Sequence, residues 1–117
     1  MRGTGKNGFY LPGGKLEPGE SDREALAREI REELGCRIDF ATLRYYTTTV
    51  AQAFAKPEGV IVRVTTFVGR LIGVPRPMSE VAELRFFRHG EYKAMSSRAP
   101  AAEILLDKLS KEGLVLE

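Results

Sequence analysis

A single cysteine and a single histidine in 117 residues remove several chemistries at once. Cys36 alone cannot form an internal disulfide, which fits a reducing compartment. His89 precedes Gly90 in what reads as a turn, exposed rather than catalytic. No apolar run approaches the length that crosses a bilayer, and Met1–Gly8 lacks the hydrophobic stretch of a secretion signal. The expectation is a cytoplasmic protein with no membrane partner. Nor does one sign of charge dominate. Eighteen basic and sixteen acidic residues leave a net charge of +2, too little to argue for nucleic acid as a partner. Repeats and low-complexity segments are missing as well. What remains is 43% hydrophobic and 29% charged, ordinary for a globular chain, and its length fits one domain spanning residues 1–117.

The densest pattern runs from Gly14 to Cys36. Pro18 and Gly19 read as loop, and Ser21 with Glu24 forms a capping box that opens a helix. Gly35 falls where helices commonly end in a left-handed residue. Leu26, Ala27, Ile30 and Leu34 share one stripe of that helix. Glu29, Glu32 and Glu33, at i, i+3 and i+4, share another. Three close carboxylates repel one another, and a hard divalent cation with a preference for oxygen removes that penalty. The plainer alternative is a solvated face carrying an Arg28–Glu32 pair. A solvated face, however, needs neither the Gly13-Gly14 loop nor Glu20 at a fixed distance upstream.

Gly14, Glu20, Arg28, Glu29, Ile30, Glu32, Glu33, Gly35 and Cys36 stand at the spacing of a known signature, and the run resembles that of the Nudix hydrolases. Cys36 occupies a position where a branched aliphatic is more usual; a free cysteine packs as a small hydrophobe. Tyr10-Leu11-Pro12-Gly13-Gly14 is similar to the lead-in typical of that family. The resemblance implies an α/β fold, a Nudix-type α/β/α sandwich with a mixed sheet. It also implies hydrolysis of a nucleoside diphosphate linked to another group, with Mg²⁺ or Mn²⁺ as cofactor. Matched position by position, Glu29, Glu32 and Glu33 are the metal-binding and catalytic glutamates. The carbonyl of Gly13 is a backbone ligand, and Glu20 is a further acidic contributor. Arg28 orients a neighbouring glutamate. Glu29 is the first candidate for general base, with Glu80 or Glu83 on a later loop behind it. Substrate contacts are less specified: Gly14, Lys15, Arg63 and Tyr10 are candidates, although on its own Arg63 reads as solvated rather than as a phosphate contact. Which diphosphate is cleaved stays open. The alternative use of such a domain is a catalytically silent nucleotide-binding module.

In chain order, Gly3–Gly8 matches a dinucleotide-binding glycine pattern. It lacks the strand before and the helix after that such a motif requires, and so reads as a lead-in loop with Lys6 and Asn7 at a turn. Phe9–Leu11 is a short extended segment. Family members carry a strand, often two, ahead of this point, whereas only about a dozen residues precede the signature here. The expectation is an amino-terminally short domain, or a gap filled by another segment or subunit. An unpaired sheet edge of that kind favours a homodimer. Arg37–Phe40 and Leu43–Val50 read as strands, Lys56–Gly59 as a turn, and Val60–Leu71 as the clearest strand. Gly73–Met78 is a loop, Ser79–Glu83 a turn or single helical turn, and Leu84–Arg88 another strand. Pro100–Glu112 carries a helical stripe of Ala102, Leu105, Leu106 and Leu109. That order suits an α/β sandwich.

Overall fold

Each end of the first helix is fixed by the residues that mark it in the sequence. In the computed structural model, which describes residues 1–3, 8–115 and 117, α1 spans Asp22–Leu34. The Ser21 hydroxyl accepts from the Glu24 amide at 3.2 Å, and the Glu24 carboxylate accepts from the Ser21 amide at 2.9 Å. Gly35 closes the helix at φ 67°, and its N–H donates to the Arg31 carbonyl at 3.1 Å. The Lys6–Asn7 turn lies outside the described residues.

The chain then runs β1 (Arg2–Gly3), α1, β2 (Arg37–Gln52), β3 (Ile61–Ile72), β4 (Val81–Glu83), α2 (His89–Lys93) and α3 (Pro100–Lys111). Helices and strands mix as an α/β fold. Both strand ladders, β2–β3 and β1–β4, are antiparallel. The one parallel pairing among the described residues is an isolated bridge between Phe9 and Arg98.

Several boundaries differ from the sequence expectation. The two strands expected over Arg37–Phe40 and Leu43–Val50 are one strand, β2. An irregularity between Asp39 and Arg44 is absorbed by side chains: Asp39 Oδ1 accepts from the Ala41 amide at 3.2 Å, and Thr42 Oγ1 accepts from the Arg70 amide at 2.9 Å. Gln52 closes the hairpin, donating to the Pro57 carbonyl at 2.8 Å and accepting from the Gly59 amide at 2.9 Å. Leu84–Arg88 is no strand. Pairing stops at Glu83; beyond it Phe86 faces solvent, and Phe87 turns in to meet Phe9 and Tyr92 edge-on at 5.0 and 5.3 Å. His89 and Gly90 begin α2 instead of a turn. The His89 ring is drawn in between Asp107 at 2.7 Å and Glu117 at 3.2 Å.

Two apolar clusters hold the elements. Ile30 and Leu34 of α1 pack with Cys36, just before β2, and with Ile38 and Leu43 of β2. Phe9, Tyr92, Ala99 and Ala102 form the second, where the Tyr92 hydroxyl donates to the Phe9 carbonyl at 2.7 Å and accepts from the Ala99 amide at 2.9 Å. That double bond anchors the segment leading into Gly13-Gly14. Between α1, β3 and α3 lies a cleft of about 1100 Å³, lined by Leu26, Ile30, Val62, Val64, Leu105 and Leu109 among others. Among the described residues β2 and β3 pair only with each other, so the ladder has two open edges. No helix is long and apolar enough to cross a membrane among the described residues.

Candidate active site

Arg28 is the hub from which the acidic face of α1 is built. Its Nε donates to Glu20 Oε2 at 2.8 Å and its Nη2 to Glu20 Oε1 at 3.0 Å, a bidentate fork. Its Nη1 reaches Glu29 Oε1 at 2.7 Å and Glu32 Oε2 at 3.4 Å. Nη2 also donates to the Lys15 carbonyl at 3.1 Å, which ties the loop to the helix. Glu17 adds a weaker contact at 3.5 Å that the sequence did not single out. With Glu20 and Glu29 hydrogen-bonded to it, the guanidinium is held cationic above its ordinary range. In turn Arg28 and the Glu17 amide hold Glu20 below the usual carboxylate range.

The glycine loop meets the same face. Gly13, at φ 137°, donates its N–H to Glu33 Oε1 at 3.0 Å. A Cβ on Gly14 would lie 2.7 Å from the Glu29 carboxylate, so only glycine lets the loop sit against that side chain. Glu33 is the most perturbed of the acidic residues. Burial, helped by the nearby charges of Glu29 and Glu32, pushes its carboxyl up to about 7, against the opposing pull of the Gly13 amide and the amino terminus. Tyr10 stands beside it, its phenol raised first by burial and then by Glu33 and Glu80.

The structure therefore brings Gly13, Gly14, Tyr10, Lys15, Glu20, Arg28, Glu29, Glu32 and Glu33 to one side of α1, with Glu80 within electrostatic reach of Tyr10. Glu83 is drawn away into the small ladder, where it pairs with Arg2 at 3.1 Å. Arg63 is exposed in β3 and lines the cleft with Gly14 and Lys15, without an ion pair of its own. Nothing in the sequence pointed to Tyr92, whose hydroxyl anchors the approach to the loop; a tyrosine in a short amphipathic segment carries no such signal.

Among the described residues no group of three carboxylate, histidine or cysteine side chains is gathered into a cage for one ion. The donors still fit a hydrated cation. They are all oxygen, and one is a half-buried carboxylate beside two like charges. Mg²⁺ keeps several waters and needs one or two protein carboxylates, not a closed shell.

Parts of the chain are similar to known proteins. A stretch of 43 residues is 49% identical to nucleoside triphosphatase NudI of Enterobacter sp. (strain 638), covering 37% of this chain and 30% of that protein. Another of 38 residues is 47% identical to human 8-oxo-dGDP phosphatase NUDT18, covering 32% and 12%. A third, of 30 residues, is 57% identical to putative 8-oxo-dGTP diphosphatase 2 of Mycobacterium tuberculosis (strain ATCC 25618 / H37Rv), covering 26% and 21%. Each match spans less than a third of the relative's own length. The NUDIX domain pattern extends much further, over residues 2–108, beyond the acidic helix and its glycine loop to most of α3, and the chain belongs to the NUDIX domain family.

Proposed function

We propose that the protein is a metal-dependent pyrophosphohydrolase that cleaves the diphosphate bond of a nucleoside diphosphate linked to another group. The observation that carries this reading is Glu33, a half-buried carboxylate flanked by Glu29 and Glu32 and gripped by the Gly13 amide. With Glu33 ionised, three neighbouring carboxylates repel one another, and a divalent cation removes that penalty. The three relatives are named for hydrolysis of nucleotide phosphoanhydrides, which agrees with it.

Glu29, Glu32, Glu33 and the carbonyl of Gly13 would hold Mg²⁺ or Mn²⁺, with Glu20 contributing through Arg28. The bound metal supplies charge neutralisation for the diphosphate and a lowered pKa for the attacking water. Arg28 occupies Glu29 Oε1, which fixes the carboxylate plane and leaves Oε2 to take a proton. The water oxygen bonds to phosphorus, the bridging P–O bond breaks, and the water's proton passes to Glu29; Glu80 is the next candidate for that role, then Glu83. Lys15 and Arg63 lie where a cleft-bound substrate would present its phosphates, and Tyr10 where it would stack. We place the protein in the cytoplasm, as a homodimer joined through an open ladder edge.

One observation favours a second reading, a nucleotide-binding module without turnover: Arg28 already engages Glu29 and Glu20, and no three-carboxylate cage is present among the described residues. A screen of diphosphate compounds with Mg²⁺ or Mn²⁺ separates the two. Released nucleotide and phosphate support the enzyme, and binding without release supports the module. In the enzyme, Glu32→Gln or Glu33→Gln abolishes metal-dependent turnover with an unchanged circular dichroism spectrum; full activity in either variant removes this assignment.

A further inference from the structure

We infer that Met78 is a positioning residue for the acidic face, seating the segment 76–80 on the open side of Gly35 so that Glu33 and Glu80 keep a fixed relation. The inference rests on the reading of that face as a cation site.

A helix leaves its last carbonyls without partners inside the helix. In α1 those of Glu33 and Leu34 are taken up by a segment more than forty residues further along the chain. The Met78 amide donates to the Glu33 carbonyl at 3.0 Å, and the Arg76 amide to the Leu34 carbonyl at 3.0 Å. Glu33 is thus held twice, on its carboxylate by Gly13 and on its carbonyl by Met78. The absence of a side chain at Gly35 makes the approach possible. A Cβ there would lie 2.5 Å from Met78 Sδ and 3.1 Å from Arg76 Nε. Gly35 therefore ends the helix and also provides the seat.

Beyond the seat the chain turns sharply. The Val81 amide donates to the Met78 carbonyl at 3.0 Å, and Ser79 adopts φ 57°, a left-handed conformation unfavourable for a residue with a side chain. Such a conformation persists only where the surroundings hold it. Here Met78 holds one side, and the pairing of Val81 with Gly3 holds the other. Tyr10 lies within electrostatic reach of both Glu33 and Glu80, the residue that follows Ser79.

The test is the affinity for Mn²⁺, followed by electron paramagnetic resonance, alongside thermal melting. Met78→Ala empties the seat but keeps the amide, and Met78→Leu refills it. Met78→Ala is expected to weaken Mn²⁺ binding about tenfold, as loss of a supporting contact around a metal site does, with Met78→Leu restoring it. A lower melting temperature with wild-type Mn²⁺ affinity would make Met78 merely structural and overturn the inference alone. Wild-type protein that binds no Mn²⁺ overturns the cation site and this inference with it. If Met78→Ala lacks a native spectrum, the exposed Arg76→Ala decides: weakened Mn²⁺ binding supports the proposal, and unchanged binding overturns it.

Discussion

Arg28 and Glu33 show two opposite treatments of charge within one turn of helix. Arg28 is satisfied: four carboxylates and a carbonyl surround it, in a fork that an ammonium cannot reproduce. Arg28→Lys is expected to lose the bidentate contact with Glu20 while keeping one point charge. Turnover with Mg²⁺ should fall about 10–100-fold, as for other supports of metal ligands, with little change in the denaturation midpoint. Glu33 is unsatisfied, chiefly by burial. Its folded value, about 7, lies above its ordinary 4.5, so the folded state binds the proton more tightly than the unfolded chain does. The stability contributed by this group is full below pH 4.5 and is lost as pH rises through 7. The metal-free protein should therefore melt at lower temperature as pH increases across that window. Glu33→Gln should flatten the slope, and Mn²⁺, which requires the deprotonated carboxylate, should oppose it. Melting curves of both proteins between those limits, with and without Mn²⁺, provide the check.

Elements were legible in the sequence wherever the determinant is local. Ser21, Glu24 and Gly35 bound α1 because capping involves residues within one turn of the end. Ser21→Ala should accordingly destabilise the protein by about 1 kcal/mol in chemical denaturation. The acidic face was legible for the same reason, since residues at i, i+3 and i+4 meet whatever the tertiary context. Determinants lying elsewhere in the chain were hidden. Asp39–Arg44 looked like a gap between strands because the Arg70 amide that satisfies Thr42 is 28 residues away. Leu84–Arg88 carries the aromatic residues favoured in strands, yet composition does not supply a partner, and the small ladder ends at Glu83. Likewise, no local pattern marks Met78 as the partner of Glu33; Gly35 reads as a helix terminus long before it reads as a seat. The parts of the site within Gly13–Glu33 could be named in advance, and Glu80 as a candidate acid, but not the anchoring by Tyr92 or the seating of Met78.

At the scale of the whole molecule, the ladder and the helices do not close on one another. The cleft between α1, β3 and α3 is lined in part by leucine, isoleucine and valine, and among the described residues one edge of β3 has no partner strand. Val60, Ile61 and Val68 are each more than 40% exposed along or beside that strand. A flat, apolar, unpaired edge is a template for another strand, and natural proteins commonly blunt such edges with lysine. Here the only charges within β3 are Arg63 and Arg70, and a net charge of +2 offers little repulsion between copies. This edge is the one through which the proposed homodimer would form, as an isologous pair that buries the strand of each copy. Light scattering after size exclusion should show the dimer fraction rising with protein concentration. Ile61→Lys, at a residue 60% exposed and outside the cleft lining, should shift the population to monomer and leave Mn²⁺ affinity unchanged. A monomer at every concentration, or a lysine variant that still pairs, would place the contact elsewhere.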